Sequence, residues 1–379
     1  MKVEIAFDLS ASGSGNWFTL NSATKGVLDN VTYLLAGDVL VDVSDDTRAV
    51  SVRRGRSRVL DKFTAGNANV TLDNRSRDYD PTYAASPYYG SIVPRKQVIV
   101  SHLGQTIFTG EVADWNFGYS VSGDSTAETS CVDGFATLAN QNRTGGTSVS
   151  QVTSARVDAV LDELGWPTDA RNVSTGTATL AADLVEPDAN ALSYLQKVEL
   201  SEPGALYMDK DNHVTFQTRS AINAASSSAT FGPGGIPFIG IGVSYGTEEM
   251  TNAANVIWLA GTVVGGTVTA NDSSSQVSYG VIEQTYETLL SSSAQGTALA
   301  NWIVANYAQP VYRIDSVTVS MPGLSSAQRL SVLALELADA VTVQWTPNNV
   351  GTAMSQIVTI DGIEHDASPA DHTVTFVLS

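Results

Sequence analysis

Short runs rich in Val, Ile, Thr, Phe and Trp recur between Gly66 and Gly134, and each is bounded by Gly, Asn, Asp or Pro. Three such runs occupy residues 97–102, 106–117 and 126–132. β-branched and aromatic residues favour strands, whereas the small and polar residues between them favour turns. The pattern therefore predicts a meandering antiparallel sheet.

The same alternation of apolar and polar side chains extends this sheet toward the N-terminus. It predicts half-buried strands over residues 2–8, 39–43 and 49–53, and one helical turn over 135–139. A chain of 379 residues is too long for one core of ordinary size. We therefore expect two or three domains, the first of them a tube-like β domain over residues 1–140.

Beyond a linker-like stretch at residues 141–148, the apolar period changes from two to about 3.6. The pattern predicts a helix whose apolar face runs from Val157 to Leu164, a second helix after Pro187 capped by Asp188 or Asn190, and a hairpin over 204–216. Residues 141–220 are thus predicted to form a small helix-plus-hairpin domain.

Strand-like runs return after a Ser-, Ala-, Gly- and Pro-rich connection at residues 221–240. They occupy residues 239–245, 255–260, 266–270, 315–321, 340–345, 356–360 and 373–378. Helices with one apolar face are predicted over 294–307 and 325–337. The predicted fold class is mainly β with α (α+β), with two tube-like antiparallel β-barrel domains flanking the helix-plus-hairpin domain. The second tube-like domain covers residues 221–379.

The charge of the chain restricts the partners that it can bind. It carries 39 acidic and 20 basic side chains, for a formal charge of -19. A protein that grips nucleic acid through phosphate neutralisation needs a surplus of Lys and Arg on one face, so this class is disfavoured. Twelve of the twenty basic residues lie before residue 100, and four of these form a cluster at Arg53, Arg54, Arg56 and Arg58. The cluster either meets an acidic partner protein or forms a solvated loop.

Cys131 is the only cysteine, so no disulfide forms within the chain, and we expect this side chain to pack as a small hydrophobe. The N-terminal residues lack the uninterrupted apolar run of a signal peptide, and no segment approaches the length of an apolar membrane span. These observations predict a soluble protein that is made in a cytoplasm, without stable membrane insertion.

No sequence motif points to a catalytic centre, a phosphate-binding loop or a cofactor site. The densest cluster of possible metal ligands lies at residues 361–366, followed by Asp371 and His372, and it is typical of a solvated turn rather than a metal site. Glu248 and Glu249 are neighbours on a strand and would point to opposite faces. We therefore predict no enzyme activity, no cofactor and no metal.

Aromatic side chains are concentrated in a segment that also carries several charges. Tyr79, Tyr83, Tyr88 and Tyr89 accompany Arg75, Arg77, Asp78 and Asp80. The aromatics alone would suit a sugar-stacking platform, but the charges favour an ordered loop that latches onto a neighbouring subunit.

Motifs in this region resemble the minor tail proteins of long-tailed phages that infect actinobacteria, which are similar to the tail-tip hub family. The residues that carry the resemblance are Val70-Thr71-Leu72-Asp73-Asn74-Arg75, Tyr79-Asp80-Pro81, Ser86-Pro87-Tyr88, Gly90, Phe108-Thr109-Gly110-Glu111-Val112, Trp115 and Asp133-Gly134. A later pattern resembles the family's second tube-like domain: Tyr245-Gly246, Asn252, Asn255-Val256, Asp272-Ser273 and Tyr279-Gly280.

The resemblance implies a structural virion protein of the tail tip (baseplate). In that family a trimeric hub uses two tube-like β domains per chain to build a pseudo-sixfold ring beneath the hexameric tail. We expect the ring to continue the tail channel, to adapt sixfold to threefold symmetry and to let DNA pass during ejection. The implied partners are two further copies of the chain in a homotrimer, the distal tail ring, the tape measure, and tail-fibre or receptor-binding proteins.

Three other functions stay open at this stage. The chain would be a glycan- or receptor-binding minor tail protein if Trp115 or the tyrosine-rich loop bound the host wall. It would be a wall-cleaving enzyme if Glu248 or Glu364 were catalytic, or a hexameric distal tail ring. The residues predicted to contact a subunit or partner are Arg53, Arg54, Arg56, Arg75, Arg77, Tyr79, Asp80, Tyr88 and Tyr89.

Overall fold

The structure is a computed structural model that describes residues 1–8, 22–24, 38–57, 61–186 and 188–379. Among these residues the strands are β1 Lys2–Asp8, β2 Asp38–Asp42, β3 Thr47–Gly55, β4 Thr64–Asp73, β5 Gln97–His102, β6 Gln105–Tyr119, β7 Ser125–Val132, β8 Gly146–Ser148, β9 Gln151–Val152, β10 Arg171–Val173, β11 Thr179–Leu180, β12 Asp183–Val185, β13 Ala205–Met208, β14 Val214–Gln217, β15 Ala229–Phe231, β16 Gly240–Ser244, β17 Ala253–Ala260, β18 Val263–Asn271, β19 Glu283–Glu287, β20 Arg313–Ser320, β21 Ala340–Trp345, β22 Met354–Ala367 and β23 His372–Leu378. The helices are α1 Gly134–Ala139, α2 Thr153–Glu163, α3 Ala191–Ser201, α4 Arg219–Ala224, α5 Ser273–Tyr279, α6 Ser293–Tyr307 and α7 Ser326–Ala334. The predicted α+β class with a large antiparallel sheet is confirmed.

Strands from the first and last thirds of the chain join in one 13-stranded sheet. Its main path runs β16-β20-β23-β22-β3-β4-β7-β6-β5-β1-β2, and β21 and β15 extend from β22. The two thirds meet where β22 pairs antiparallel with β3, from Gly362 opposite Gly55 to Ala367 opposite Val50. We call this contact the internal joint. Gly55 has φ +107° there, and a Cβ at this position would collide with the carbonyl of Asp361.

The two thirds repeat one strand arrangement. The order β3-β4-β7-β6-β5 in the first third corresponds to β16-β20-β23-β22-β21 in the last third, with the strands in the same chain order. In the first repeat β1 and β2 add to the β5 side, whereas in the second β15 adds to β21. The predicted pair of β units therefore has a shared topology, although the predicted boundaries of separate domains stay a prediction.

A long strand stands at the same place in each repeat. β6 has 15 residues and β22 has 14, and each pairs with one neighbour along its first half and with another along its second half. β6 pairs with β5 up to Glu111 and then with β7. β22 pairs with β21 up to Thr359 and then with β23. Both strands carry a β-bulge at the changeover, at Ala113 in β6 and at Asp361 in β22.

Alternating side chains of these strands build the main core. β23 buries every second residue, including Val374 and Phe376, and β4 does the same with Val70 and Leu72. Burial of such side chains stabilises the fold by roughly 1.5–3 kcal/mol each. Cys131 packs in this core as predicted.

The predicted helix-plus-hairpin segment holds α2, α3 and the hairpin of β13 and β14. Asn190 caps α3 through its side chain, as one of the two predicted cap residues. Arg156 of α2 is fully buried, because its guanidinium donates to the Tyr194 hydroxyl and to the carbonyls of Val149 and Ala181.

Strands predicted at 255–260 and 266–270 lie outside the large sheet. They are β17 and β18, which form a three-stranded sheet with β19, and α6 packs on one face through Leu299 and Ile303. This unit is inserted between β16 and β20, at the position where the first repeat has only the short connection between β3 and β4.

The structure corrects two sequence-based predictions. Residues 361–366 are not a solvated turn, because they lie within β22, where β3 and β23 pair on either side and Ile363 and His365 are buried. The helix predicted over 325–337 ends at Ala334, and Leu330 of its predicted apolar face is exposed. A capping box between Ser325 and Gln328 fixes its start.

Candidate functional site

The predicted basic cluster divides between the surface and the interior, because successive side chains of β3 point to opposite faces. Arg53 is exposed and pairs with Glu364 at 3.0 Å. Arg54 is only 4% exposed. Arg58 lies outside the described residues. A contact role stays a prediction for Arg53, but the buried Arg54 is not available to a partner of the folded chain.

Arg54 connects all three predicted segments of the chain. Its Nη1 donates to the carboxylate of Glu336 at 2.7 Å and lies 3.5 Å from the carbonyl of Met208. The same carboxylate accepts from the backbone N–H groups of Lys210 and Leu337. These hydrogen bonds to the carboxylate help to offset the loss of hydration of the buried ion pair, although Arg54 Nε has no hydrogen-bond partner among the described residues. The cluster therefore braces the internal joint.

Arg56 is part of the same joint. Its Nε and Nη2 donate to one carboxylate oxygen of Asp361 at 3.0 and 2.8 Å, and its guanidinium lies 4.5 Å from the centre of the Phe63 ring. Asp361 is 1% exposed because it occupies the bulge of β22. The sequence places these residues 305 positions apart, so no local pattern could reveal the pair.

The tyrosine-rich loop is fixed to its own subunit. The Tyr79 hydroxyl donates to Asp46 at 2.7 Å, and Tyr88 stacks on Phe7 with ring centres 4.3 Å apart. Burial, followed by the hydrogen bond to Asp46, raises the pKa of Tyr79 far above its usual value. Tyr79 and Tyr88 therefore support the first sheet from within, although they were predicted as contact residues.

Charged groups hold the start of this loop. Asp80 accepts from the Arg77 guanidinium at 2.7 Å and from the Thr82 hydroxyl and backbone N–H. The hydroxyl of Thr82, followed by Arg77, keeps the pKa of Asp80 well below its usual range. Burial, followed by the hydrogen bond that its hydroxyl donates to Asp80, raises the pKa of Tyr119 at the end of β6. The predicted ordering of the loop by its charges thus agrees with its contacts, and its contact with a neighbour stays a prediction.

The described aromatics of this region do not line up as a sugar-stacking platform. Tyr83 is covered by Arg77, with 4.6 Å between the guanidinium and the ring centre. Trp115 donates its indole N–H to the Val93 carbonyl at 3.3 Å and stacks with Phe117 along β6. Tyr89 is half exposed, and Arg75 is exposed and paired with Asp73.

Three histidines meet at the far end of the internal joint. His365 Nδ1 and His372 Nε2 are 3.1 Å apart, and His102 packs edge-on against His372. Burial lowers the pKa of His372 to about 4, and it also holds the pKa of His365 well below its usual value. This contact joins one ring nitrogen of each imidazole, whereas Nδ1 of His372 is buried without a described hydrogen-bond partner. Within the described part of the chain no group of three or more His, Cys, Asp or Glu side chains is arranged to hold a metal ion.

A cavity of about 560 Å³ lies where the sheet, the helix-plus-hairpin segment and α6 meet. Its lining includes Glu199, whose pKa burial raises to about 7, and Arg219, whose guanidinium lies 4.6 Å from the centre of the Trp302 ring. The Glu199 carboxyl accepts from the backbone N–H of Leu206. The lining also includes Asp61, Lys62 and Ser379, but no histidine among the described residues.

The large sheet also has open edges. Among the described residues, β16 pairs only with β20, and the outer half of β6, residues 113–119, pairs only with β7. Unpaired backbone donors and acceptors on a strand edge favour pairing with another chain. Sequence analysis predicted a strand at each place, over residues 106–117 and 239–245, but a local period does not show which side of a strand stays unpaired.

Two of the solved structures that share this fold are tail proteins. The 43 kDa tail protein of prophage MuSo2 from Shewanella oneidensis matches with a TM-score of 0.60 and 15% identity, over 90% of this chain and 96% of that chain. The tail protein from Neisseria meningitidis MC58 matches with a TM-score of 0.60 and 12% identity, over 90% and 93%. Identities this low show a shared fold.

A third neighbour comes from a secretion system. The E. coli c3393 protein, a component of the type VI secretion system with structural similarity to the T4 bacteriophage tail proteins gp27 and gp5, matches with a TM-score of 0.51 and 12% identity. The match covers 88% of this chain and 73% of that chain. No protein-family model and no curated protein matches the sequence. No helix of the described residues is both long and apolar enough to cross a membrane.

Proposed function

We propose that this chain is a structural subunit of a phage tail tip, where copies of it form a hub ring around the tail channel. The observation that carries the proposal is the fold, which two tail proteins share over 90% of this chain at a TM-score of 0.60. Because both matches also cover more than nine tenths of those proteins, the likeness extends to the whole tail protein and not to one common module.

The repeated sheet supports a trimer in particular. Each chain supplies two sheet repeats with the same strand order, so three chains supply six. Six repeats around one axis would match a hexameric tail above, while three chains would match a threefold tip below. The ring would thus adapt sixfold to threefold symmetry, and its partners would be the distal tail ring, the tape measure and the fibre or receptor-binding proteins.

The charge of the chain supports a channel that DNA passes without binding. A formal charge of -19 repels the phosphate backbone, so the wall of the channel would not hold the duplex during ejection. The two tail proteins that share the fold support a structural role rather than an enzymatic one. The protein would reside in the virion after synthesis in the host cytoplasm.

Native mass spectrometry and negative-stain imaging of the purified chain test the proposal. We expect a species of three times the mass of one chain and a ring with a central hole. A hexamer would identify the chain as a distal tail ring instead. A particle that stays a monomer at every concentration, without a hole, would refute the proposed function.

A further inference from the structure

We infer that the outer half of β6 in one subunit pairs with β16 of a second copy of this chain. The inference rests on the proposed function, because it names the surfaces that join neighbouring subunits of the ring. It follows from the repeated strand arrangement. The long strand of the second repeat already pairs with a strand of the first repeat inside the chain, whereas the long strand of the first repeat has one side without a described partner strand along its outer half.

The internal joint supplies the precedent. In the second repeat, the half of β22 that follows its bulge pairs with β23 on one side and with β3 on the other. In the first repeat, the half of β6 that follows its bulge pairs with β7 on one side, and no described strand pairs with it on the other. β3 opens the first repeat and β16 opens the second, so β16 of another copy is the strand that corresponds to β3.

The bulges fix the register of the inferred contact. Aligning Ala113 of β6 with Asp361 of β22 places Tyr119 at the position of Ala367, where both strands end. Ile241 of β16 pairs with Val317 of β20, and Val50 of β3 pairs with Val70 of β4. Because Val317 and Val70 occupy equivalent positions in the two repeats, Ile241 corresponds to Val50. Since Val50 pairs with Ala367 inside the chain, Ile241 is inferred to pair with Tyr119 of the next subunit.

The same register sets the other residue pairs. It places Val243 opposite Phe117, as Val52 lies opposite His365, and it places Ser244 opposite Asn116, as Arg53 lies opposite Glu364. Tyr245, which directly follows β16, comes opposite Trp115.

The side chains on the two edges are complementary in this register. One face of β16 carries Ile241 and Val243, continued by Tyr245, and one face of β6 carries Trp115, Phe117 and Tyr119. Every pair on this face is therefore an aromatic ring against an apolar or aromatic side chain, which stabilises antiparallel strands by roughly 0.2–1 kcal/mol a pair beyond alanine. A slip by one residue would place each apolar side chain on the opposite face, so the pattern specifies the register.

The exposure of side chains on β6 and β16 agrees with a contact that is not made within one subunit. Tyr245 is 68% exposed, Tyr119 59% and Val243 39%, whereas the corresponding residues of the internal joint, Arg54, Ala367 and Val52, are all buried. The other members of the two rows, Trp115 and Phe117 on β6 and Ile241 on β16, are half-buried against the core of the same subunit. Exposed apolar side chains that continue such a row are typical of an interaction surface. Because the two edges differ, the contact is head-to-tail, which is the kind of interface that builds a ring when its rotation closes.

Disulfide trapping tests the register directly. In the double variant Ser244→Cys with Asn116→Cys, the paired Cα atoms of adjacent subunits would be about 4.5–5.5 Å apart, within reach of a disulfide. The matched control, Ser244→Cys with Asp114→Cys, moves one partner two residues along the same edge, to about 7–8 Å. The natural Cys131 is buried and does not compete.

After mild oxidation, the Ser244→Cys/Asn116→Cys protein is expected to run on a non-reducing gel as a covalent ladder that ends at the trimer, and the control is expected to stay mostly monomeric. If the wild-type chain is oligomeric in native mass spectrometry but both variants cross-link equally or not at all, the register is wrong and the proposed function stands. If the wild-type chain is a monomer, both are refuted.

A charge on the edge gives a second measurement that does not depend on disulfide formation. Val243→Lys is expected to shift the native mass from oligomer to monomer, because a Lys would be buried against Phe117. Val149→Lys changes an equally apolar and more exposed side chain in the helix-plus-hairpin segment, away from both edges, and is expected to leave the oligomer intact. Loss of the oligomer in both variants, or in neither, would contradict the inference.

Discussion

Acidification is expected to remove the stability that the buried histidine pair contributes at the internal joint. His372 has a native pKa of about 4 because burial disfavours its charged form, whereas an unfolded histidine titrates near about 6.5. Between these two pKa values, His372 binds a proton in the unfolded chain but stays neutral in the native chain. The stability that His372 contributes is therefore fully present above about pH 6.5 and is lost as the pH falls toward about 4.

The size of the effect follows from these two pKa values. Between about pH 7 and about pH 5, linkage gives a loss of about 2 kcal/mol in the free energy of unfolding from His372 alone. His365 adds to the loss, because its pKa is also lowered. Asp133 and Glu199 act in the opposite direction. Burial raises the pKa of each carboxyl to about 7, so the contribution of these two groups to the free energy of unfolding increases on acidification.

Urea unfolding of wild type and His372→Gln at the two pH values separates these contributions, since both proteins keep the same carboxyl groups. The difference in unfolding free energy between wild type and variant should shrink by about 2 kcal/mol on going to about pH 5. Val374→Ala, a non-titrating change on the same strand, should destabilise the protein by the same amount at both pH values. An unchanged difference for His372→Gln would refute the reasoning.

Three further predictions concern the ion pairs, the loop and the channel. Asp361→Asn leaves Arg56 without its carboxylate and should lower the free energy of unfolding by about 3 kcal/mol in urea titration. Arg53→Gln at the exposed pair should change the free energy of unfolding by less than about 1 kcal/mol. Equal effects of the two changes would contradict the distinction between a buried and an exposed ion pair. Tyr79→Phe leaves Asp46 without its donor and should cost about 1–2 kcal/mol, seen as faster limited proteolysis at residues 82–90, and an unchanged cleavage rate would contradict it. The wild-type chain should show no retention of duplex DNA on a filter at low salt, and strong retention would contradict a DNA-repelling channel.

The strands were predictable because each is a local alternation of apolar and polar side chains. Gln97–His102 and Ala340–Trp345 have the predicted bounds, and most other predicted strands differ by a few residues. Very short strands such as Thr179–Leu180 were missed, because two residues carry no period. Residues 361–366 were misread because their polar composition hid the buried alternation of Ile363 and His365.

The site was less predictable than the elements that build it. The pairing of β22 with β3 joins residues about 300 positions apart, and a local period does not determine which strand becomes a neighbour. Part of the error was avoidable. Arg53 and Arg54 are adjacent on a predicted strand, so their side chains had to point to opposite faces, and one of the two was bound to face the core.

The two joints of the repeat would differ in chemistry for a physical reason. The internal joint buries Arg54 with Glu336 and Arg56 with Asp361, and such pairs give little net stability because both charges lose water. A single chain tolerates this, since its two strands are already held together by the rest of the fold. A joint between subunits must also offset the loss of translational and rotational freedom on association. Burial of aromatic and apolar side chains, such as those on β6 and β16, gives enough favourable free energy to offset this loss, whereas buried ion pairs would not.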